Sequence, residues 1–212
     1  MKQLKVIFYA GIFIFLFFAC KSSKKSDAIE TNQLNNEAPS FAVRSNSETV
    51  IPLQVGNYWV YKYKNYNEIK TNDKLDTIKV NKVTDRGDIT DYELSGYTVW
   101  AVKDGIIHRR CWGRTPNRTI ENSFIKPLYF RAKKTEEFDE CRGDMIIRST
   151  INRMEEGYNL NGLKINNCYE ITQQSSNNRI IIADGIGIIK EEYFDHTNKL
   201  VGEKILVANF LH

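Results

Sequence analysis

The chain has 212 residues, 42% of them hydrophobic, and a formal net charge of +4. That apolar content supplies a core and excludes a disordered chain, and the length suits one domain with extra segments. Lys2 and Lys5 belong to a removable leader, so only about +2 stays with the rest, too little to suggest a nucleic-acid partner.

Lys2 and Lys5 introduce an apolar run from Val6 to Ala19, broken by Tyr9 and Gly11. A basic start, an apolar middle and a small residue at the cut are the order of a bacterial secretory signal. The run is shorter than the roughly 20 residues a spanning helix needs, which disfavours an uncut anchor. It closes on Leu16-Phe17-Phe18-Ala19-Cys20. This stretch resembles the lipobox of bacterial lipoproteins, with Phe17 where the pattern usually carries Leu. The resemblance implies that residues 1–19 are a signal peptide and that Cys20 receives a diacylglycerol, making the membrane the first partner.

Residues 20–49 are rich in Ser, Asn, Lys and Glu, with Pro39 and few apolar side chains. Such a segment buries too little to offset its ordering entropy, so it reads as a flexible tether. Lys21, Lys24 and Lys25 are either solvated or attracted to anionic headgroups, on the order of 1 kcal/mol each near the surface. Some lipoproteins carry acidic residues after the lipidated cysteine that direct them to the cell surface. The basic residues here lean towards a periplasm-facing leaflet of the inner or outer membrane.

Residues 50–212 read as one antiparallel β domain. Pro52 and Gly56 punctuate its start, and from Tyr58 the pattern alternates, with Trp59, Tyr61 and Tyr63 on one face. A second strand is expected over about Asp76 to Val83, and Arg86-Gly87-Asp88 turns the chain towards Tyr92 and Leu94. Tyr97 to Lys103 and Ile106 to Trp112 form a hairpin about Asp104-Gly105, a pair suited to a type I′ turn. The returning arm carries His108, Arg109 and Arg110, followed by Arg114 and Arg118. This basic stretch is either a face for an anionic lipid or acidic partner, or a charged strand edge that resists aggregation.

Residues 113–144 are the least regular part, interrupted by Pro116 and Pro127, and Arg131 to Glu140 suits a short helix or a loop. Glu136, Glu137, Asp139, Glu140 and Asp144 lack the ligand spacing and central glycine of an EF-hand, so they read as a solvated acidic loop. Met145 to Ile151 resumes the β pattern, and Asn161-Gly162 marks a second type I′ hairpin. Strict alternation after Leu163 puts Cys168 on the polar side with Glu170, unless a bulge at Asn166-Asn167 turns it inward. Arg179 to Ala183, Ile186 to Asp195 and Leu200 to Leu211 complete the strands. The fold expected is a mainly β curved antiparallel sheet or half-barrel, with at most a short helix in 113–144.

Of the four cysteines, Cys20 is assigned to lipid, leaving Cys111, Cys141 and Cys168. Either two of them pair, with Cys111–Cys141 the first choice, or all three stay reduced. No CxxC pair exists and the three histidines lack a second ligand pair at usual spacing, so no metal and no cofactor are expected.

Ile51-Pro52-Leu53-x-x-Gly56-Asn57-x-Trp59-x-Tyr61, Asn167-Cys168-Tyr169-Glu170-Ile171 and Gly185-Ile186-Gly187-Ile188-Ile189-Lys190 are similar to stretches of a group of secreted bacterial lipoproteins. The group is related to TapB-like domains and resembles in shape the curved sheets of lipoprotein carriers. The resemblance covers the two ends of the domain, not residues 114–144, and brings no catalytic residue.

Motifs for a serine nucleophile, a phosphate loop, a zinc protease helix and a dinucleotide site are all absent. Glu155-Glu156 and Glu191-Glu192 are neighbours that point to opposite faces of a strand, as do His108 and Cys111. The expectation is therefore a non-enzymatic, envelope-bound binding domain. Trp59, Tyr61, Tyr63, Trp100 and Val102 either line a site for a hydrophobic ligand or fill a closed core. An interaction subunit of an envelope or secretion complex, and an enzyme of unrecognised type, are the alternatives.

Overall fold

The computed structural model describes residues 41–67, 73–112, 123–142, 145–174, 176 and 178–212. The signal segment, Cys20, the tether as far as residue 40, Arg114 and Arg118 lie outside the described residues. By internal contacts the chain divides into residues 1–37 and residues 38–212.

Among the described residues of the second unit all regular structure is β, apart from a 3-10 turn at Ser95–Tyr97. Its strands are β1 (Tyr58–Asn65), β2 (Lys74–Asp85), β3 (Thr90–Leu94), β4 (Val99–Lys103), β5 (Ile106–Trp112), β6 (Ser123–Tyr129) and β7 (Thr135–Arg142). They continue with β8 (Met145–Met154), β9 (Tyr158–Leu160), β10 (Leu163–Ile165), β11 (Cys168–Gln173), β12 (Arg179–Ala183), β13 (Gly187–Phe194) and β14 (Leu200–Phe210). Twelve form one antiparallel sheet in the order β6-β5-β4-β3-β2-β1-β14-β13-β12-β11-β8-β7, and β9 and β10 form a separate hairpin. The first and last strands of the order return to one another, with β7 lying against β5 and β6, so the sheet curls almost into a barrel.

The curl has local causes. Asn81, Leu128, Ile189, Val201 and Val207 are each skipped by a neighbouring strand's register. An extra residue bends its strand and increases the twist. One such shift explains why consecutive Ile188 and Ile189 are both buried. The two expected hairpins form as the turn chemistry dictates: Asp104-Gly105 and Asn161-Gly162 all take positive φ.

Of residues 131–140, where a short helix or loop was expected, the first four are irregular and the rest belong to strand β7. Alternation places Glu136, Phe138 and Glu140 on one side, and Glu137 and Asp139 on the other, where both pair with Arg148 of β8. A row of acidic side chains is compatible with a strand when the facing strand offers a cation. Pro127 is accommodated because β6 is a sheet edge, where a missing N–H breaks no ladder.

No ladder joins β6 to β7 among the described residues. Cys111 of β5 and Cys141 of β7 span this seam as a disulfide, with their Cα atoms 6.0 Å apart. Arg109 Nη1 adds a bond across it to the Cys141 carbonyl at 3.2 Å.

The lumen has two unlike ends. One is plugged by residues 44–53, with Val50 and Ile51 fully buried and the Arg44 N–H donating to the Gly185 carbonyl at 2.8 Å. Arg131, just after β6, clamps the plug by donating to the carbonyls of Ser47, Glu48 and Thr49 and to the Asp184 carboxylate. Trp59 seals it from β1, its Nε1 donating to the Ile186 carbonyl at 2.6 Å. The tether expected to reach residue 49 therefore ends earlier: Phe41 packs on the core, and Ala42 exchanges two hydrogen bonds with the Asn209 side chain. The docking partners of residues 41–49 include Arg131 after β6, Gly185 between β12 and β13, and Asn209 of β14, all distant in the chain and beyond any local composition signal.

Two outcomes test this architecture. The Cys111–Cys141 bridge closes a loop of sequence separation 30. Its reduction should lower unfolding free energy by about 3–4 kcal/mol in denaturant titrations. At Gly187, φ is +118° and a Cβ would fall 2.8 Å from Trp59 Nε1. Gly187→Ala should accordingly cost on the order of 2–3 kcal/mol, read from the same titration.

Candidate functional site

The aromatic residues proposed from sequence as a ligand lining lie in the core. Trp59, Tyr61, Trp100 and Val102 are between 2% and 7% exposed and belong to one packed cluster. Tyr63, half-buried, meets the Tyr193 ring at 6.2 Å. Trp100 packs edge-on against Tyr129 at 5.4 Å. Burial holds the Tyr61 and Tyr129 phenols well above their usual pKa, and Glu191 adds to both shifts.

The basic stretch does not form one exposed face. Alternation along β5 sends His108 and Arg110 one way and Arg109 the other. Arg110 is only 6% exposed, and two of its nitrogens hold Asp91 Oδ1, at 2.6 and 2.9 Å, with a third on Ser123. His108 is buried against its own strand, with Nδ1 3.0 Å from the Ile106 carbonyl. Desolvation lowers the His108 pKa, opposed in part by its backbone bonds.

Arg109 instead reaches the end of the lumen opposite the plug. There a cleft of about 190 Å³ is lined by Arg109, Tyr129, Arg142, Gln173, Asn178, Ile180, Glu191, Glu192 and Tyr193. Topology explains the gathering: β5, β7 and β13 all start near the plugged end and run towards this mouth. Beneath Arg109 and Gln173 lies Glu140, 1% exposed. Its Oε1 accepts from Ser149 Oγ and from Gln173 Nε2, both at 2.6 Å. Its Oε2 is buried without a hydrogen bond, 3.9 Å from Arg109 Nη1. An unpaired buried carboxylate oxygen is costly, so this is the most strained polar position described.

The adjacent Glu191 and Glu192 serve different partners, as strand alternation requires. Glu191 accepts from the Tyr193 hydroxyl at 2.5 Å, and burial together with Glu191 raises the Tyr193 pKa. Glu192 is held by Arg179 at 2.5 Å and by Lys190 at 2.7 Å. Lys190 also bridges to Glu203, which accepts from Tyr66 and Lys64. The hydrogen bond to Glu203 is the main reason the Tyr66 pKa is pushed up to about 12.

The sequence reading had placed Glu140 in an acidic loop and did not single out Tyr129, Arg142, Gln173 or Tyr193. One signal was available: in Thr135–Arg142 the alternation that carries Phe138 inward carries Glu140 with it.

Cys168 stays on the Glu170 face of β11, whose register is unbroken, yet is fully buried. The β9–β10 hairpin accounts for this, with Leu160 and Ile165 joining the buried cluster and Sγ donating to the Ile165 carbonyl at 3.3 Å. Burial pushes the thiol up to about 11, so it is neutral and unreactive at ordinary pH. No group of three or more His, Cys, Asp or Glu side chains among the described residues is placed to hold a metal.

No family model matches the chain, and no curated protein matches it. Two solved structures are similar in shape. One is a "putative exported protein with YmcC-like fold" from Bacteroides fragilis, 11% identical, with a TM-score of 0.40 over 76% of this chain and 99% of that one. The other is a "putative lipoprotein" from Parabacteroides distasonis, 12% identical, with a TM-score of 0.37 over 78% of this chain and 100% of that one.

The His108 environment sets a pH dependence. A folded pKa below the usual value of about 6.5 means that the neutral ring is the form the fold prefers. Its contribution is complete above that unfolded value and is lost as pH falls towards the folded one. Unfolding free energy should decline below about pH 6.5, and the decline should be shallower in His108→Gln.

Proposed function

We propose that this protein is a lipid-anchored, periplasm-facing binding domain of the bacterial envelope, without catalytic activity. The observation that carries the reading is the one-ended barrel. Residues 41–53, which continue from the tether, dock at the plugged end, and the charged cleft opens at the other. The described chain thus enters the domain at the end opposite the cleft.

The absence of catalysis is inferred from how the polar groups are held. Glu140 is locked by Ser149 and Gln173 and sealed from solvent, Glu192 is neutralised by two cations, and the Cys168 thiol is buried and protonated. None of these is free to exchange a proton or attack a substrate. Binding of a hydrophobic ligand draws no support from Trp59, Tyr61, Trp100 and Val102, which are packed in the core. The TapB-like resemblance of the two ends of the domain, and lipoprotein-carrier likeness in shape, fit an envelope role without specifying the ligand.

A second reading, an interaction subunit of an envelope complex, is favoured by exposed Phe124, Met145 and Ile146. Phe124 faces Cys111 and Ile146 faces Cys141 in register, so these apolar side chains flank the seam. Introducing a charge at one of them (Ile146→Glu) should reduce cross-linking to envelope proteins if this surface is used.

The anchoring component has a direct test. Cys20→Ala should move the protein from the membrane to the soluble fraction and abolish incorporation of labelled palmitate. Unchanged membrane association would overturn it.

A further inference from the structure

We propose that the cleft at the barrel mouth binds a small zwitterion, an α-amino acid of modest size, with its carboxylate on Arg109 and Arg142 and its ammonium on Glu191. This rests on the reading of the protein as a binding domain and names the ligand class of that cleft.

Charge balance points to this class. Glu192 is already compensated by Arg179 and Lys190. What remains around the cleft is two guanidinium groups, Arg109 and Arg142, against two carboxylates, Glu191 and the underlying Glu140. The charges are segregated: both arginines come from strands that meet at the seam, and Glu191 comes from β13 across the lumen. A simple anion would leave the carboxylate side unmatched, and a simple cation the guanidinium side. A molecule with one charge of each sign at its two ends complements both.

Arg109 is poised for the anionic end. Its one hydrogen bond among the described residues is Nη1 to the Cys141 carbonyl, and Glu140 Oε2 stands 3.9 Å away, beyond bonding reach. The guanidinium fork therefore keeps donors for a carboxylate, and the buried Glu140 charge holds it in place. Glu140 lies behind the lining, its buried Oε2 without a hydrogen bond, so its charge acts on the cleft through Arg109.

The cationic end has matching features. Glu191 spends Oε2 on Tyr193 and forms no ion pair among the described residues. The rings of Tyr129 and Tyr193 stand beside it as walls for an ammonium group. Gln173 and Asn178 add amides to the lining, the Gln173 amide already bonded to Glu140 and Ser176. The volume of about 190 Å³ equals roughly six water molecules' share of liquid. That admits about six non-hydrogen atoms, the size of alanine.

The test uses the full mature lipidated chain in nonionic detergent, titrated calorimetrically with L-alanine, sodium acetate and ethylamine. Saturable binding of alanine is expected, at least tenfold tighter than either single-charge fragment. Glu191→Gln and Arg142→Gln should each weaken it at least tenfold with unchanged thermal midpoints, and Arg109→Lys should weaken it while keeping the charge. Acetate or ethylamine binding as well as alanine, or variants binding like the parent, would overturn the zwitterion assignment while leaving a binding domain. No binding by any of the three probes would overturn the assignment and remove the cleft as support for the binding-domain reading.

Discussion

The structure depends on how a twelve-stranded sheet closes without a continuous ladder. Strands of this number cannot stay flat and bury a common face, and the five skipped residues bend them until β6 and β7 approach. The final gap is crossed by side chains and sulfur: the Cys111–Cys141 bridge and the Arg109 bond to the Cys141 carbonyl. This closure covers two exposed edges that would otherwise invite pairing with other chains. It also sets Arg109, Glu140 and Arg142 around one opening, so seam and cleft are one feature.

The ends of the barrel are built by opposite chemistry. At the plugged end, main-chain groups of residues 44–53 are satisfied by Arg131, Gly185, Thr49 and Asn57, which allows Val50 and Ile51 to be buried. At the mouth, charged side chains outnumber apolar ones, and one carboxylate oxygen remains unpaired. Outside the barrel, the β9–β10 hairpin buries a face that alternation alone would assign to solvent, together with the thiol of Cys168.

Local signals were read correctly where the physics is local. Asp104-Gly105 and Asn161-Gly162 turn as hairpins because their φ preferences act within two residues. Trp59, Tyr61 and Tyr63 share a face because side-chain direction in a strand repeats every second residue. Reading failed where a distant partner decides. Residues 135–142 look like a charged loop until Arg148 is placed opposite Glu137 and Asp139. His108, Arg109 and Arg110 look like one basic patch until Asp91, nineteen residues from Arg110, draws it out of reach.

The sequence by itself determined the β class, through alternation and turn residues, and carries the resemblance to a lipobox in the stretch ending at Cys20. Both are encoded over a few consecutive positions. Tertiary structure alone decided that the aromatics fill a core, that residues 41–49 belong to the domain, and that Arg109, Glu140 and Glu191 meet. Those three come from β5, β7 and β13, and no sequence interval relates them. Their meeting follows from strand order, bulges and the seam, which exist only when the whole sheet has closed.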